Sequence, residues 1–205
     1  KIMIMHKSKL RSSSRLSFNF KHVLNRFVDV FTPRQWQYLD RVAETVVSDT
    51  PELIEYPDKG QTSNEALSVG VVRLFNYKAG NEPEIEAYKK DILKIFSQAR
   101  LLDKMSALAM QNRQLTLRRV QLNLMGPGAF VGCHCDSDHD KHYRVTAIIR
   151  LNASCTGGEL MVYGQHGDII VRQHARSVFM MDSTVPHEVL RITQGLRNSL
   201  IVVAG

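Results

Sequence analysis

An α+β fold, mainly β, follows from three features of the chain. Helical periodicity is confined to its first half, a run of eight short apolar segments separated by Gly, Pro, Asn and Asp fills its second, and no repeat or low-complexity stretch divides them. Many short strands behind a few helices point to a β-sandwich or jelly roll with the helices preceding it. At 205 residues the chain is long enough for one domain with a substantial core, and its 43% hydrophobic content is ordinary for a globular protein.

Taken in order, Phe27 to Phe31 reads as a short strand. Thr32-Pro33-Arg34-Gln35 then starts a helix, with a capping Thr, Pro at the first position and Gln at the third. Trp36, Leu39, Val42, Ala43, Val46 and Val47 recur on one face and carry that helix to about Asp49. A loop with Pro57 and Gly60 leads into a strand from Val69 to Tyr77. A second helix begins near Asn81, and its apolar face runs through Ile85, Tyr88, Ile92, Ile95 and Phe96 to Ala99, with a pattern that allows continuation to Met110. From there the period changes. Leu115 to Met125, Ala129 to Cys135, Tyr143 to Leu151, Glu159 to Tyr163, Ile169 to Arg172, Ser177 to Met181, Glu188 to Ile192 and Asn198 to Val203 are the eight strands. The division is a basic arm over residues 1–26 and one domain over 27–205, with its barrel at about 115–205.

No apolar stretch approaches the ~20 residues of a membrane span, so no span is expected. Three cysteines are an odd number, and Cys133 and Cys135 sit too close on one strand to pair, which fits a reducing, cytoplasmic setting. The net charge of +7 resides in the arm: Lys1, Lys7, Lys9, Arg11, Arg15, Lys21 and Arg26 meet no acid there, while basic and acidic residues balance in the rest. A Ser- and Arg-containing segment without acids resembles a transit peptide, which would mean an organelle. A solvated arm leading into the domain is the plainer reading.

The chemistry concentrates in His134-Cys135-Asp136, a later His187 and a basic Arg197. Residues two apart on a strand share a face, so His134 and Asp136 point together and the neighbouring cysteines point away. His187, at the entrance of a late strand, can supply the third ligand of a two-histidine, one-carboxylate facial set, which suits Fe(II) and leaves positions open for substrate and oxygen. Other metal readings fit less well. Asp136, Asp138 and Asp140 open like a calcium loop, but Lys141 stands where Gly is needed and Ala147 where Glu is needed. Cys133, His134, Cys135, His139 and His142 match no zinc-knuckle spacing. His139 and His142 read as solvent-loop residues at the barrel mouth. Arg197, between Gly195 and the apolar run Leu200 to Val203, reads as a clamp for an anion, because a planar fork binds a carboxylate through two parallel hydrogen bonds.

From about Leu117 onward the chain resembles the Fe(II)- and 2-oxoglutarate-dependent dioxygenases of the prolyl-4-hydroxylase-like group. The likeness rests on Gly126-Pro127-Gly128, His134-x-Asp136, the strand Arg144 to Asn152, Gly157-Gly158-Glu159-Leu160, Pro186-His187-Glu188-Val189 and Gly195-Leu196-Arg197-Asn198-Ser199. It implies a double-stranded β-helix, jelly-roll or cupin-like, buttressed by the N-terminal helices. It also implies Fe(II) held by His134, Asp136 and His187, and 2-oxoglutarate bound by Arg197 with the Ser199 hydroxyl. Oxygen is then the co-substrate, with ascorbate allowed as an auxiliary reductant.

The chain departs from the group at Met125, where relatives often have Tyr, and at Arg150, where many have Tyr before Leu-Asn. Arg150 shares a face with Thr146 and Ile148. It either points inward, to 2-oxoglutarate or an anionic substrate group, or ends the strand facing outward. Gln121 and Asn123 alternate on the strand before the Gly-Pro-Gly turn and are the substrate candidates. The reaction implied is hydroxylation of an aliphatic C–H bond of an amino acid or peptidyl residue, proline-like as a first guess, with release of succinate and CO2. In the halogenases that resemble this group a small residue stands at the Asp136 position, so its presence favours hydroxylation. Two other readings stay open. One is a non-catalytic β scaffold that binds nucleic acid or an acidic partner through residues 1–26; the other is a cupin-like metalloenzyme that uses no 2-oxoglutarate and has no need of Arg197.

Overall fold

The computed structural model describes residues 3–5, 24–27, 29–56, 66–76, 83–109, 114–151, 154–164 and 167–205. Most of the basic arm, Tyr77, Asn81 and Met110 lie outside them. The elements are β1 (Met3–Met5), β2 (Leu24–Phe27), α1 (Pro33–Asp49), β3 (Ala66–Asn76), α2 (Pro83–Gln98), α3 (Leu101–Leu108) and β4 (Leu117–His134). After them come β5 (Val145–Arg150), β6 (Cys155–Gly157), β7 (Leu160–Val162), β8 (Asp168–Val171), β9 (Ser177–Asp182), β10 (His187–Val189), β11 (Ile192–Gly195) and β12 (Arg197–Ala204). Ten strands form one antiparallel path, β1-β8-β7-β10-β4-β12-β5-β9-β2, with β3 added beside β4; β11 and β6 pair separately. This is the mainly β, double-stranded β-helix expected from the sequence.

The strand β4 links the two halves. Its first part pairs with β12 from Leu117 to Met125, and its last part pairs with β10 at Val131 and His134. Between them, two steps along β3, from Leu67 to Val69, face five along β4, from Phe130 to Met125. The extra residues are Gly126-Pro127-Gly128, with Gly128 at φ +88°. That bulge turns one continuous strand from one sheet face to the other, where the sequence pattern implied two strands.

Helix α1 begins as expected: Thr32 Oγ1 accepts from the Gln35 backbone N–H at 3.3 Å, and the Gln35 side chain accepts from the Thr32 N–H at 2.9 Å. The second helix differs from expectation. It ends at Gln98, Arg100 takes a left-handed conformation at φ +51°, and α3 starts anew at Leu101. The break lets Phe96, Leu101 and Met105 all reach the same buried layer. The first strand also differs, lying at Leu24–Phe27, because that segment pairs with β9 while residues 29–31 turn toward the Thr32 cap. The strand expected over Glu188 to Ile192 is two, β10 and β11, which join different sheets.

Two cores follow from strand alternation. Trp36, Leu39, Val46 and Phe96 of the helices cover the outer face of the larger sheet through Leu122, Ile149 and Val202. Met125, Ile148, Phe179, Met181 and Val189 fill the barrel interior. Strand β5 is buried on both faces, which fits its mainly apolar sequence, with Thr146 and Arg150 as its polar members. Among the described residues no helix is long and apolar enough to cross a membrane.

Candidate metal centre

The bulge in β4 aims its last residue, His134, across the barrel mouth, where it lies opposite His187 at the start of β10. Cys135 continues the extended backbone, and the chain then folds into a 3-10 turn over Asp136–Asp138. The Asp138 carboxylate accepts from the Cys135 N–H at 3.3 Å, and the His139 N–H donates to the Asp136 carbonyl at 3.1 Å. This local turn brings the Asp136 side chain back over the mouth although the strand has ended.

His134, Asp136 and His187 thereby gather one ligand atom each, all within 4.8 Å of one another, a group that could hold a metal ion. His134 Nε2 lies 3.8 Å from Asp136 Oδ1, and His187 Nε2 lies 3.7 Å from Asp136 Oδ2. Both rings are oriented in the same way. His134 Nδ1 stands 2.8 Å from the Gly132 carbonyl and His187 Nδ1 stands 2.9 Å from the Val185 carbonyl. A carbonyl only accepts, so each Nδ1 carries the proton and each Nε2 offers its lone pair to the shared centre. Two imidazoles and one carboxylate gathered about one point fit a ferrous ion.

Electrostatics prepare the same set. Burial works to raise the Asp136 carboxyl pKa, but His187, His134, the Thr146 hydroxyl and Arg119 outweigh it and hold it below the ordinary carboxylate value. Thr146 Oγ1 donates to Asp136 Oδ2 at 2.7 Å and is itself within 3.0 Å of Ser183 Oγ. Burial pushes the His187 imidazole down, against the opposing pull of Asp136, which favours the neutral ring a metal needs.

The cavity beside this cluster is also lined by Gln121, Asn123, Thr146, Ile148, Arg119 and Arg197. Arg197 is 1% exposed, and its partners are all neutral. Its Nε donates to the Gly158 carbonyl at 3.0 Å, Nη1 to Ser199 Oγ at 3.1 Å and Nη2 to Gln173 Oε1 at 3.1 Å, while Met125 Sδ lies 3.8 Å from Nη1. No carboxylate among the described residues pairs with it. Burial, with Arg150 nearby, brings its pKa down to about 9, still high enough for the charge at neutral pH. Such a cation is held ready for an anion that the protein itself does not supply.

Gly158 makes the approach possible. Its φ is +68°, and a Cβ there would stand 3.0 Å from Arg197 Cδ and 3.0 Å from Ile192 Cγ1. Gly158→Ala is expected to cost roughly 1–3 kcal/mol of stability through backbone strain and to displace Arg197, which thermal unfolding and a carboxylate-binding titration would register together.

Of the two orientations open for Arg150, the inward one is found. Arg150 is 3% exposed and sits opposite Ser199, which in turn sits opposite Asn123, so the three form one row across β5, β12 and β4. Its Nη1 donates to the Asn198 carbonyl at 3.2 Å and its Nη2 lies 3.7 Å from Cys155 Sγ. Gln121 and Asn123 are buried on the same interior wall, with Gln121 Nε2 donating to Asn123 Oδ1 at 2.7 Å. His139 is exposed but edges the cavity; His142 is exposed and does not line it. Arg119, Thr146 and Gln173 were not singled out from the sequence. Arg119 and Thr146 carry the period-two signal, since they share faces with Gln121 and Ile148; Gln173 lies in a loop without a pattern.

Residues 120–203 match the family model of the 2OG-Fe(II) oxygenase superfamily. No curated protein sequence matches. Among solved structures, an oxidoreductase of the 2OG-Fe(II) oxygenase family from Burkholderia pseudomallei superimposes with a TM-score of 0.71 at 20% identity, over 94% of this chain and 96% of that one. A prolyl-4-hydroxylase from Pseudomonas putida gives 0.64 at 21% identity, over 90% and 93%. A prolyl hydroxylase from Trichoplax adhaerens, in complex with a hypoxia inducible factor oxygen degradation domain peptide, gives 0.67 at 15% identity, over 90% and 84%. Over residues 120–203 the chain is thus similar to the 2OG-Fe(II) oxygenases, and the His134, Asp136 and His187 group could hold the Fe(II) that such a barrel uses with 2-oxoglutarate.

Proposed function

We propose that this oxygenase hydroxylates an aliphatic C–H bond of an amino acid, free or within a peptide, with a proline-like residue as the first substrate to try. The observation that carries the reading is Arg197: a fully buried cation with neutral partners, opening on the cavity that the His134, Asp136 and His187 cluster also lines. A scaffold that only binds partners through residues 1–26 has no use for that charge, and a cupin chemistry without 2-oxoglutarate has no anion for it. The prolyl hydroxylases among the similar structures support the proline-like guess.

His134, Asp136 and His187 would hold the iron. Arg197 would receive the far carboxylate of 2-oxoglutarate, with Ser199 Oγ beside it and Arg150 adding positive charge from the next strand. Bound together, iron and 2-oxoglutarate supply the oxidation: one atom of O2 enters the substrate C–H bond, the other enters succinate, and C1 of 2-oxoglutarate leaves as CO2. The chain's own work is to fix the two imidazole tautomers through Gly132 and Val185, to keep Asp136 ionised through Thr146, and to exclude water behind the apolar wall of Ile148, Val189 and Ile201.

Purified protein titrated without oxygen should show a weak visible charge-transfer band only when Fe(II) and 2-oxoglutarate are both present. If iron binds and no band appears, the 2-oxoglutarate assignment fails. Thr146→Val should weaken divalent-metal affinity by about 10–100-fold, the usual effect of losing a group that orients a ligand, as read by calorimetric metal titration. Arg150→Ala should raise the 2-oxoglutarate dissociation constant about tenfold, the effect of one weakened charge contact; an unchanged constant would remove Arg150 from the cofactor site.

A further inference from the structure

Among the described residues that line the cavity, Arg119 is the cation in direct contact with neither a metal ligand nor the 2-oxoglutarate clamp. It sits on the inner face of β4, two residues before Gln121, opposite Val203, whose other neighbour is Thr146. It therefore stands at the level of the Asp136 cluster, near the mouth, well away from Arg197. Its charge is close enough to Asp136 to help lower that carboxyl, and burial lowers its own pKa. No carboxylate among the described residues lies within ion-pairing distance of it. Its neighbour Arg73 on β3 is paired with Glu55 at 2.8 Å, so among the described residues of this wall Arg119 is the cation without a salt bridge.

Its hydrogen bonds also set the wall's polarity. Arg119 Nη2 donates to Gln121 Oε1, and Tyr143 stands close to its guanidinium. Because an arginine only donates, it fixes the Gln121 amide with oxygen toward itself and nitrogen toward Asn123. Gln121 Nε2 then claims Asn123 Oδ1 at 2.7 Å, which leaves Asn123 Nδ2 as a donor toward the cavity. Arg119 retains further N–H groups for a ligand, since a guanidinium carries five. Wall and mouth thus present donors and positive charge, a surface complementary to a carboxylate and poorly matched to a neutral peptide link.

We propose that Arg119 binds a free carboxylate of the substrate, with Asn123 Nδ2 assisting, so that the oxygenase acts on a free amino acid or a carboxy-terminal residue and not on an internal peptide residue. The inference rests on the hydroxylase reading above and narrows it.

The test uses the full chain loaded with Fe(II) and 2-oxoglutarate. Succinate formation is measured with the proteinogenic L-amino acids, their carboxamides, and short peptides carrying each residue at the carboxy terminus or internally. The expected result is an acid, free or carboxy-terminal, with kcat/KM at least about 100-fold above its carboxamide, as for a site whose buried donors go unpaired with the wrong ligand. Arg119→Gln should raise KM for that acid about 100-fold with a much smaller change in kcat, and should erase the preference for acid over amide; Arg119→Lys should restore part of both. Binding is checked without turnover, by the shift that the same acid produces in the anaerobic Fe(II)–2-oxoglutarate band, which Arg119→Gln should lose.

Free and carboxy-terminal acids are separated by which of the two series responds. Equal turnover of carboxamides or internal residues, an unchanged KM in Arg119→Gln, or no response to any carboxylate of the panel would each overturn the proposal. A wild type that forms no Fe(II)–2-oxoglutarate band would instead overturn the hydroxylase reading on which it stands.

Discussion

Asp136→Gly is expected to abolish substrate hydroxylation and to weaken Fe(II) binding by more than about 100-fold, since even the loss of an outer contact to a metal ligand costs about 10–100-fold. The carboxylate faces both imidazoles, with oxygens 3.8 Å from His134 Nε2 and 3.7 Å from His187 Nε2. It is also the negative charge among the three ligands, held ionised by the facing imidazoles, the Thr146 hydroxyl and Arg119. Without it two neutral imidazoles remain, and they bind a hard ferrous ion weakly. Glycine at 136 keeps the 3-10 turn, whose hydrogen bonds run through the backbone of residue 136 and the side chain of Asp138. The variant should therefore fold, with an unfolding temperature near that of the wild type. Product analysis by mass spectrometry and calorimetric titration of iron would check both parts; an unchanged hydroxylation rate would sink the assignment.

Arg197→Met should act in opposite directions on binding and on stability. Losing the guanidinium leaves the far carboxylate of 2-oxoglutarate buried without a counter-charge, a deficit of about 3–5 kcal/mol, or roughly two to four orders of magnitude in the dissociation constant. The cofactor-free protein, by contrast, should gain about 1–3 kcal/mol, because a desolvated cation with neutral partners is replaced by an apolar side chain of similar length beside Met125 and Ile192. Thermal unfolding without ligands, set beside an anaerobic 2-oxoglutarate titration, separates the two effects. A variant that is less stable and binds normally would mean that Arg197 serves packing.

Much of this was legible in the sequence because the signals are local or periodic. The Thr32 to Gln35 cap is written in four consecutive residues. The alternation along Val145 to Arg150 places Thr146, Ile148 and Arg150 on one side, but it left Arg150 either inward or turned out at the strand end, and only the packing of the neighbouring strands buries it. What escaped depends on tertiary choice. Gly126-Pro127-Gly128 carries turn chemistry whether it ends a strand or bulges one, and only the pairing of β4 with both β12 and β10 decides between them. The break at Arg100 interrupts a helical pattern with a residue that has ordinary helix propensity, so nothing local announces it. Asp136 reaches the centre from a 3-10 turn after the strand, although strand alternation was the ground for expecting it there. Gln173 contacts Arg197 from a loop whose path the sequence does not encode in any period.

The two short N-terminal strands carry a consequence for how the molecule behaves in solution. β1 lies against β8 and β2 against β9, so the same segment occupies both ends of the ten-stranded path. An uncovered strand edge is a template for another chain, and proteins guard it with very short or charged terminal strands. Here both ends of the path are held by very short strands, Met3–Met5 with three residues and Leu24–Phe27 with four. Strands that short offer few free backbone groups along either rim, so a neighbouring molecule finds little length on which to extend the sheet.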